Sequence, residues 1–452
     1  MDTERPNTVK KRLLYTTRDD RNNLLLVANN LILHLHPVSV PASALRFTYT
    51  WGLGGASAVL LLMLIFTGLL LMFRYDARVN YAYLSIQQIE STVTFGSLVR
   101  GIHHWSANLL VVTVFLHLVR ILFTAGYKQG RTANWLIGIA LLLLVLCANF
   151  TGYLLPWDQL AYWAITVSTT LLGYIPLVGI GIRNLLLGGP AVGQGALSNF
   201  YAFHVVVIPM LLASISLYHF WKVRKNGGIS QTLPKAGDRP ERRLTTIPHL
   251  VQREAAVALL VIAGVVIFAM LRPAPLGELA DPYESPNPAK AAWYFLGLQE
   301  LLLHMHPLSA IGIVGLVLGM VSFLPYFDKD YQDIGIYFRS KAGRWTSLLG
   351  AVLAAAIVPL MVAADEYWID FPGWFPGLPT WVTGGLIPFI ATVAFLGLVY
   401  ALLRRFVRGD GRRANHSEAT LGLMVFMVAS LVVLTIIGIW FRGENMALIW
   451  PL

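Results

Sequence analysis

Residues 100–120 read RGIHHWSANLLVVTVFLHLVR, and residues 200–221 read FYAFHVVVIPMLLASISLYHFW. Each stretch is apolar over about 20 residues, the length that crosses a hydrocarbon core as a helix. Each carries two histidines: His103 and His117, 14 residues apart, and His204 and His219, 15 apart. Steps of that size keep both imidazoles within roughly 60° on one helix face, and about 21–22 Å apart along the axis. A histidine inside a membrane segment is rare unless it serves a function. Two parallel helices of this kind can clamp two flat cofactors, one above the other. Haem iron held by two axial imidazoles is the natural occupant.

The surrounding composition agrees with a membrane. Of 452 residues, 56% are hydrophobic and only 13% charged, against about 25% charged in soluble chains. Nine apolar runs are long enough to span, at 50–72, 102–123, 134–155, 201–222, 254–271, 308–325, 346–363, 383–403 and 419–441. A bilayer admits only helices or closed barrels, and runs of this length predict helices. The expected fold is therefore all-α: a polytopic membrane protein of about nine transmembrane helices, with a four-helix di-haem bundle at its N-terminal end. With nine spans, 27 of the 34 Lys and Arg fall on the N-terminal side of the membrane and 7 on the other. The positive-inside rule then puts the N-terminus in the cytoplasm and the C-terminus outside, in the cell inner (cytoplasmic) membrane. The net charge of +11 is mostly this asymmetry. It calls for contact with anionic membrane lipid and gives no sign of nucleic-acid binding. No cleavable signal peptide is visible in residues 1–30, which are polar and charged.

In this topology the second and fourth spans run in the same direction, so His103 should face His204, and His117 should face His219. The one cysteine, Cys147, cannot close an intrachain disulfide, and there is no CxxCH for covalent haem. Any haem is non-covalent, of b type, and a two-cysteine iron–sulfur site cannot come from this chain. Cys147 reads as a packing residue.

Together with NFTGYLLPWDQLAYWA (149–164) and LGELADPYESPNPAKAAWY (276–294), the two histidine stretches resemble cytochrome b of the quinol-oxidising cytochrome bc complexes. The 15-residue step resembles its plastid-type branch. Residues 1–228 resemble that branch's four-helix haem subunit, and 240–365 its separate second subunit, here fused. The chain divides accordingly into a di-haem domain (1–228), a quinol-site region of three helices (229–365) and two additional helices (366–452). The resemblance implies two non-covalent haem b groups, ligated by His103 with His204 and by His117 with His219, and quinol and quinone as substrates. It implies a Rieske iron–sulfur protein and a cytochrome c, bound or soluble, as partners in a multisubunit, dimeric complex. Gly54, Gly68 and Gly152 fall where the family keeps small residues near the haems, since glycine lets a flat group approach the backbone. Arg100, one turn before His103, is a candidate partner for a haem propionate, or a snorkelling arginine. His104 lies about 100° around the helix from His103 and should not ligate the same iron. Gly52 stands where the plastid branch attaches an extra haem through cysteine, so that group is not carried over.

The family's quinol-oxidation site implies Trp157 and Asp158 from one loop, and Trp293 and Tyr294 from another. Its proton-accepting glutamate belongs to a Pro-Glu-Trp-Tyr motif, which here reads Ala291-Ala292-Trp293-Tyr294. Three readings compete. Glu300, or Glu278, Asp281 or Glu284 of the same loop, takes the proton; Tyr294 or water relays it; or the site is inactive or used differently. Inner-side quinone contacts are sought among His34 and His36 of the N-terminal segment, and His249 and the Lys/Arg cluster of the loop between the fourth and fifth spans. His304 and His306 read as interfacial, and the last helix as packed on lipid. The expected activity is quinol:cytochrome c oxidoreduction, with one electron passed to a Rieske protein and the other across the membrane through the two b haems, building a proton gradient. The alternatives are a non-bifurcating di-haem membrane anchor and, more remotely, a secondary transporter, for which there is no inverted repeat.

Overall fold

The computed structural model describes residues 33, 35–128, 130–230, 241–330, 333–409 and 411–450. Among them are nine helices long and apolar enough to span a membrane: α1 (Leu53–Met72), α2 (Gly96–Phe123), α3 (Thr132–Tyr153), α4 (Gln194–Lys225), α5 (Thr246–Leu271), α6 (Pro307–Phe327), α7 (Lys341–Tyr367), α8 (Val382–Phe406) and α9 (His416–Trp440). Each coincides with an expected span, and the protein is an all-α, multi-pass membrane protein. Several helices overrun the apolar run that announced them. α2 starts at Gly96 and α4 at Gln194, because backbone hydrogen bonding continues past the point where side chains become polar.

Helix α1 packs along α2, and α3 along α4, while α5 lies against α1 and α2. Leu60, Leu110, Val145, Ile208 and Val265, one from each of these helices, belong to the shared apolar core. Outside the membrane, β1 (Ser39–Pro41) pairs antiparallel with β2 (Arg243–Thr245), tying the segment before α1 to the one before α5.

Helix α9 departs from expectation. Its first half, Ser417 to Phe426, is buried throughout, against α7 and α8, so it is an internal strut rather than a lipid-facing addition. Its start is held by charge. Asn415 and Glu418 form a reciprocal capping box, and both terminal nitrogens of Arg412 sit 2.7 Å from the Glu418 carboxylate. Beside it lies a fully enclosed cluster. Lys128 Nζ and Arg339 Nη1 each stand 2.9 Å from a different oxygen of Asp328, all three side chains being 0% exposed. Arg339 also donates to the Ser417 carbonyl and hydroxyl. The α2–α3 loop, the α6–α7 loop and the head of α9 are thus locked together. Removing one member of such a buried set leaves an uncompensated charge and costs about 3–5 kcal/mol.

Candidate functional site: two imidazole pairs and an adjoining cavity

His204 sits in a widened turn of α4. Residues Phe203–Val207 follow π-helical bonding, and Pro209 follows immediately. Proline offers no N–H and crowds the carbonyl four residues back, so the ladder loosens there. A π turn accommodates one extra residue. That explains the unequal histidine spacing: the 15-residue step on α4 contains the widened turn and matches the regular 14-residue step on α2.

The pairing expected from parallel helices is found. The His103 and His204 ring centres are 6.2 Å apart, and His117 lies within electrostatic reach of His219. Two metal–nitrogen bonds of about 2 Å each, plus about 1 Å from each nitrogen to its ring centre, give a separation of about 6 Å, so the first pair fits one metal between its rings. The ring tautomers are constrained as well. The Thr67 hydroxyl donates to the Met63 carbonyl at 2.7 Å, leaving its oxygen to accept from His103 Nδ1 at 2.9 Å. His204 Nδ1 donates to the Ala148 carbonyl at 3.0 Å. In both rings the proton is placed on Nδ1, and the Nε2 lone pair stays open for a metal.

Each of the four histidines also faces a glycine. A Cβ at Gly68 would come within 3.1 Å of His103 Cε1, at Gly54 within 3.3 Å of His117, at Gly138 within 3.9 Å of His219 and at Gly152 within 2.4 Å of His204. The glycines on α1 and α3 therefore leave room beside every imidazole. The sequence reading missed Gly138, Thr67 and Thr151, whose hydroxyl lies 3.3 Å from His204 Nδ1. Two signals were available. Phe-Thr-Gly occurs at 66–68 and again at 150–152, and Gly138 precedes Gly152 by the same 14 residues that separate Gly54 from Gly68.

The family description Cytochrome b/b6/petB matches residues 38–227, which hold all four histidines and all four glycines. Cytochrome b6 of Porphyra purpurea is 42% identical over 175 residues, covering 39% of this chain and 81% of that protein. The chain belongs to the cytochrome b family. Cytochrome b6 of Heliobacterium mobile is 39% identical over 192 residues, covering 42% of this chain and 88% of that one. A chain of the solved structure "Hyperthermophilic respiratory Complex III" superposes with a TM-score of 0.62 at 20% identity, over 89% of this chain and 93% of its own. That likeness is one of fold, and it reaches well beyond the four-helix bundle. Membership carries haem b binding with it and makes this cytochrome b a redox subunit of a bc-type complex. The open Nε2 positions and the glycine-lined approaches fit that group.

Around the bundle the other expected residues take varied places. Arg100 is buried and turned to the Glu90 carboxylate, the Ala274 carbonyl (2.9 Å) and the Pro275 carbonyl (2.6 Å). It fastens the loop after α5 to the head of α2. His104 lies beside Asn108 and Trp105, away from His103. Cys147, read as a packing residue, is exposed on α3. His34 lies outside the described residues, and His36 stands 3.3 Å from Glu254.

A cavity of about 250 Å³ lies between the helix Gln159–Leu172 and the segment 286–302, with Phe150 of α3 at its inner wall. Phe150 directly precedes Thr151, so the cavity adjoins the His103/His204 end of the bundle. Tyr294 and Tyr153 line a smaller neighbouring space that shares the walls Phe150, Ser168 and Phe295 with it. Trp157 and Asp158 are not in the wall. Trp157 is 5% exposed in an apolar core. Asp158 accepts from Ala161 N at 2.9 Å, capping the helix, and from Gly277 N at 3.1 Å, which holds the opposite loop. Trp293 donates to Asn108 Oδ1 at 2.6 Å.

Glu300 also faces away from the cavity. Its helix, Leu296–Leu303, shows the cavity Leu298, Gln299 and Leu302, while the Glu300 carboxylate is enclosed beside Arg442. Burial would raise this carboxyl, but the bonds from His304 and Arg442 hold it below the usual carboxylate range. His304, expected as interfacial, bridges Glu300 at 3.3 Å and Asp365 at 2.7 Å. His306 does act locally, accepting from Leu308 N at 3.3 Å at the start of α6.

Proposed function

We propose that this chain is the cytochrome b subunit of a quinol:cytochrome c oxidoreductase that bifurcates quinol electrons, one to a Rieske iron–sulfur protein and one across the membrane. His103 with His204, and His117 with His219, would hold two non-covalent b haems. Haem iron in those positions supplies one-electron transfer between the two membrane faces. Thr67 and the Ala148 carbonyl keep the ligating nitrogens open by taking the Nδ1 protons, and the four glycines give the rings their clearance.

The observation that carries the quinol assignment is the cavity. It is largely apolar, is built from the two loops on which the family resemblance places quinol oxidation, and shares α3 with the His204 site. Trp157 and Asp158 would shape it from behind, and Tyr294 from its smaller extension. Glu300 would act on the cavity wall through its helix rather than as a base in contact with quinol. Residues 1–228 then form the haem domain, 229–365 the quinol-site region and 366–452 a C-terminal pair bracing it. The complex would be dimeric and would sit in the cell inner membrane, N-terminus in the cytoplasm and C-terminus outside. It would release protons on the outer face, deliver electrons to a c-type cytochrome and build a proton gradient.

An oxidant pulse tests this. The purified complex is given excess quinol with its inner site blocked, and ferricyanide is added. A transient rise in reduced b-haem absorbance is expected. Haems that are only oxidised by the pulse would replace bifurcation with a simple electron-anchor role.

A further inference from the structure

Where the family's glutamate would stand this chain has Ala292, and neither Glu300 nor Asp158 reaches the cavity. Among the residues lining that cavity one is charged: Lys290, two positions before Ala292. Its backbone is bracketed on both sides by a single side chain. Gln299 accepts from Ala291 N at 2.7 Å and donates to the Ala289 carbonyl at 2.7 Å. Its ammonium donates to the Ile439 carbonyl at 3.0 Å, near the C-terminal end of α9, where unpaired carbonyls favour a cation. Two N–H bonds remain for another acceptor.

The charges around Lys290 come from few elements. The helix Leu296–Leu303 contributes Glu300, which interacts with Lys290 electrostatically and is itself engaged by Arg442 and His304. The segment just past α9 contributes Arg442. The helix Gln159–Leu172 and α6 offer the cavity only uncharged groups, including Trp163, Ser168 and Ile311. Burial weakens the ammonium somewhat, and Glu300 opposes that effect.

We propose that Lys290 meets the quinol hydroxyl in this cavity and promotes its ionisation as a fixed cation, in place of a carboxylate base. This deepens the quinol reading above and rests on it. The O–H bond of the quinol breaks, its proton passes to water in the loop, and the quinolate is left paired with the ammonium. Lys290 keeps its three protons, and no electron moves in this step. A cation within a few ångströms lowers the pKa of an acidic group by about 1–3 units, so quinolate becomes available at lower pH than it otherwise would.

The test is the rate of haem b reduction by decylubiquinol in the whole complex, inner site blocked, from pH 5 to 9, for the wild type and for Lys290→Met, Lys290→Gln and Lys290→Arg. The haem spectrum of each variant reports that it has folded. The Gln variant keeps a donor for Ile439 and serves if the Met variant does not assemble. Loss of the charge is expected to move the acid limb of the profile up by about one unit, a roughly tenfold loss of rate at pH 6, and Arg is expected to hold the limb in place. An unmoved limb in the Met or Gln variant, or a loss that the charge-keeping Lys290→Arg shares in full, overturns the assignment and leaves Lys290 a tie to α9. A wild type whose haems quinol does not reduce removes the functional reading first, and Lys290 with it.

Discussion

Arg442 and Glu300 meet in a buried two-pronged pair, with Nη2 2.6 Å from Oε1 and Nε 3.0 and 3.1 Å from the two carboxylate oxygens. The arginine follows α9, and the glutamate sits on the helix that walls the cavity. Arg442 Nη1 reaches further, to Glu366 at 2.9 Å. Arg442→Met is expected to strand Glu300 and to destabilise the complex by about 3–5 kcal/mol. The double variant Glu300→Leu/Arg442→Met should recover most of that loss. Thermal unfolding in detergent checks both, and a double variant no better than the single one would show that the pair is not acting as a unit.

His304 makes the same region sensitive to pH. Burial alone would lower its pKa, but hydrogen bonds to Asp365 and Glu300, and their charges, raise it to about 9. A histidine that gains affinity for its proton on folding contributes fully below about pH 6.5 and loses that contribution as pH rises through the folded value. Thermal stability should therefore fall between pH 7 and pH 10. The loss is on the order of 3 kcal/mol for a shift of this size, and it should be much reduced in His304→Gln. An unchanged slope in that variant would place the alkaline sensitivity elsewhere.

The glycines facing the imidazoles should differ in how they tolerate alanine. Their Cβ clearances run from 2.4 Å at Gly152 through 3.1 Å at Gly68 and 3.3 Å at Gly54 to 3.9 Å at Gly138. Gly152→Ala is expected to abolish or strongly distort b-haem incorporation, and Gly138→Ala to leave it intact. The pyridine haemochrome content and the midpoint potentials of the four variants give the order directly.

Asp158 separates a structural carboxylate from a catalytic one. Asparagine caps a helix about as well as aspartate, whereas loss of the cap costs about 0.5–2 kcal/mol. Asp158→Asn should keep near-normal quinol-driven haem reduction and its pH profile, and Asp158→Ala should lose stability together with the grip on Gly277. A pH profile altered by the asparagine would assign the carboxylate a proton.

All nine spans were legible because long apolar runs have one stable outcome in a bilayer. The histidine pairing was legible because span direction follows from counting. What escaped depended on contacts between distant segments. Arg100 looks like a membrane-edge arginine until the Ala274 and Pro275 carbonyls come to it from 174 and 175 residues away. Glu300 looks like the replacement base because it is eight residues from Ala292 in sequence; its helix turns it away from the cavity and into a buried pair with Arg442. The burial of α9 was hidden because an apolar helix reads alike against lipid and against protein. The repeated Phe-Thr-Gly, by contrast, was present in the sequence and went unused.

The glycine and histidine steps make the bundle a ruler. Fourteen residues separate Gly54 from Gly68 on α1, His103 from His117 on α2 and Gly138 from Gly152 on α3, and the π turn brings α4 into the same measure. The gap between the two cofactor positions is therefore graduated by helical rise, about 1.5 Å per residue, and no side chain can adjust it. On the two-haem reading, the tunnelling distance between the sites is accordingly set by the scaffold. Substitution can tune the driving force there, but the span itself changes only by inserting or deleting a residue in step on all four helices.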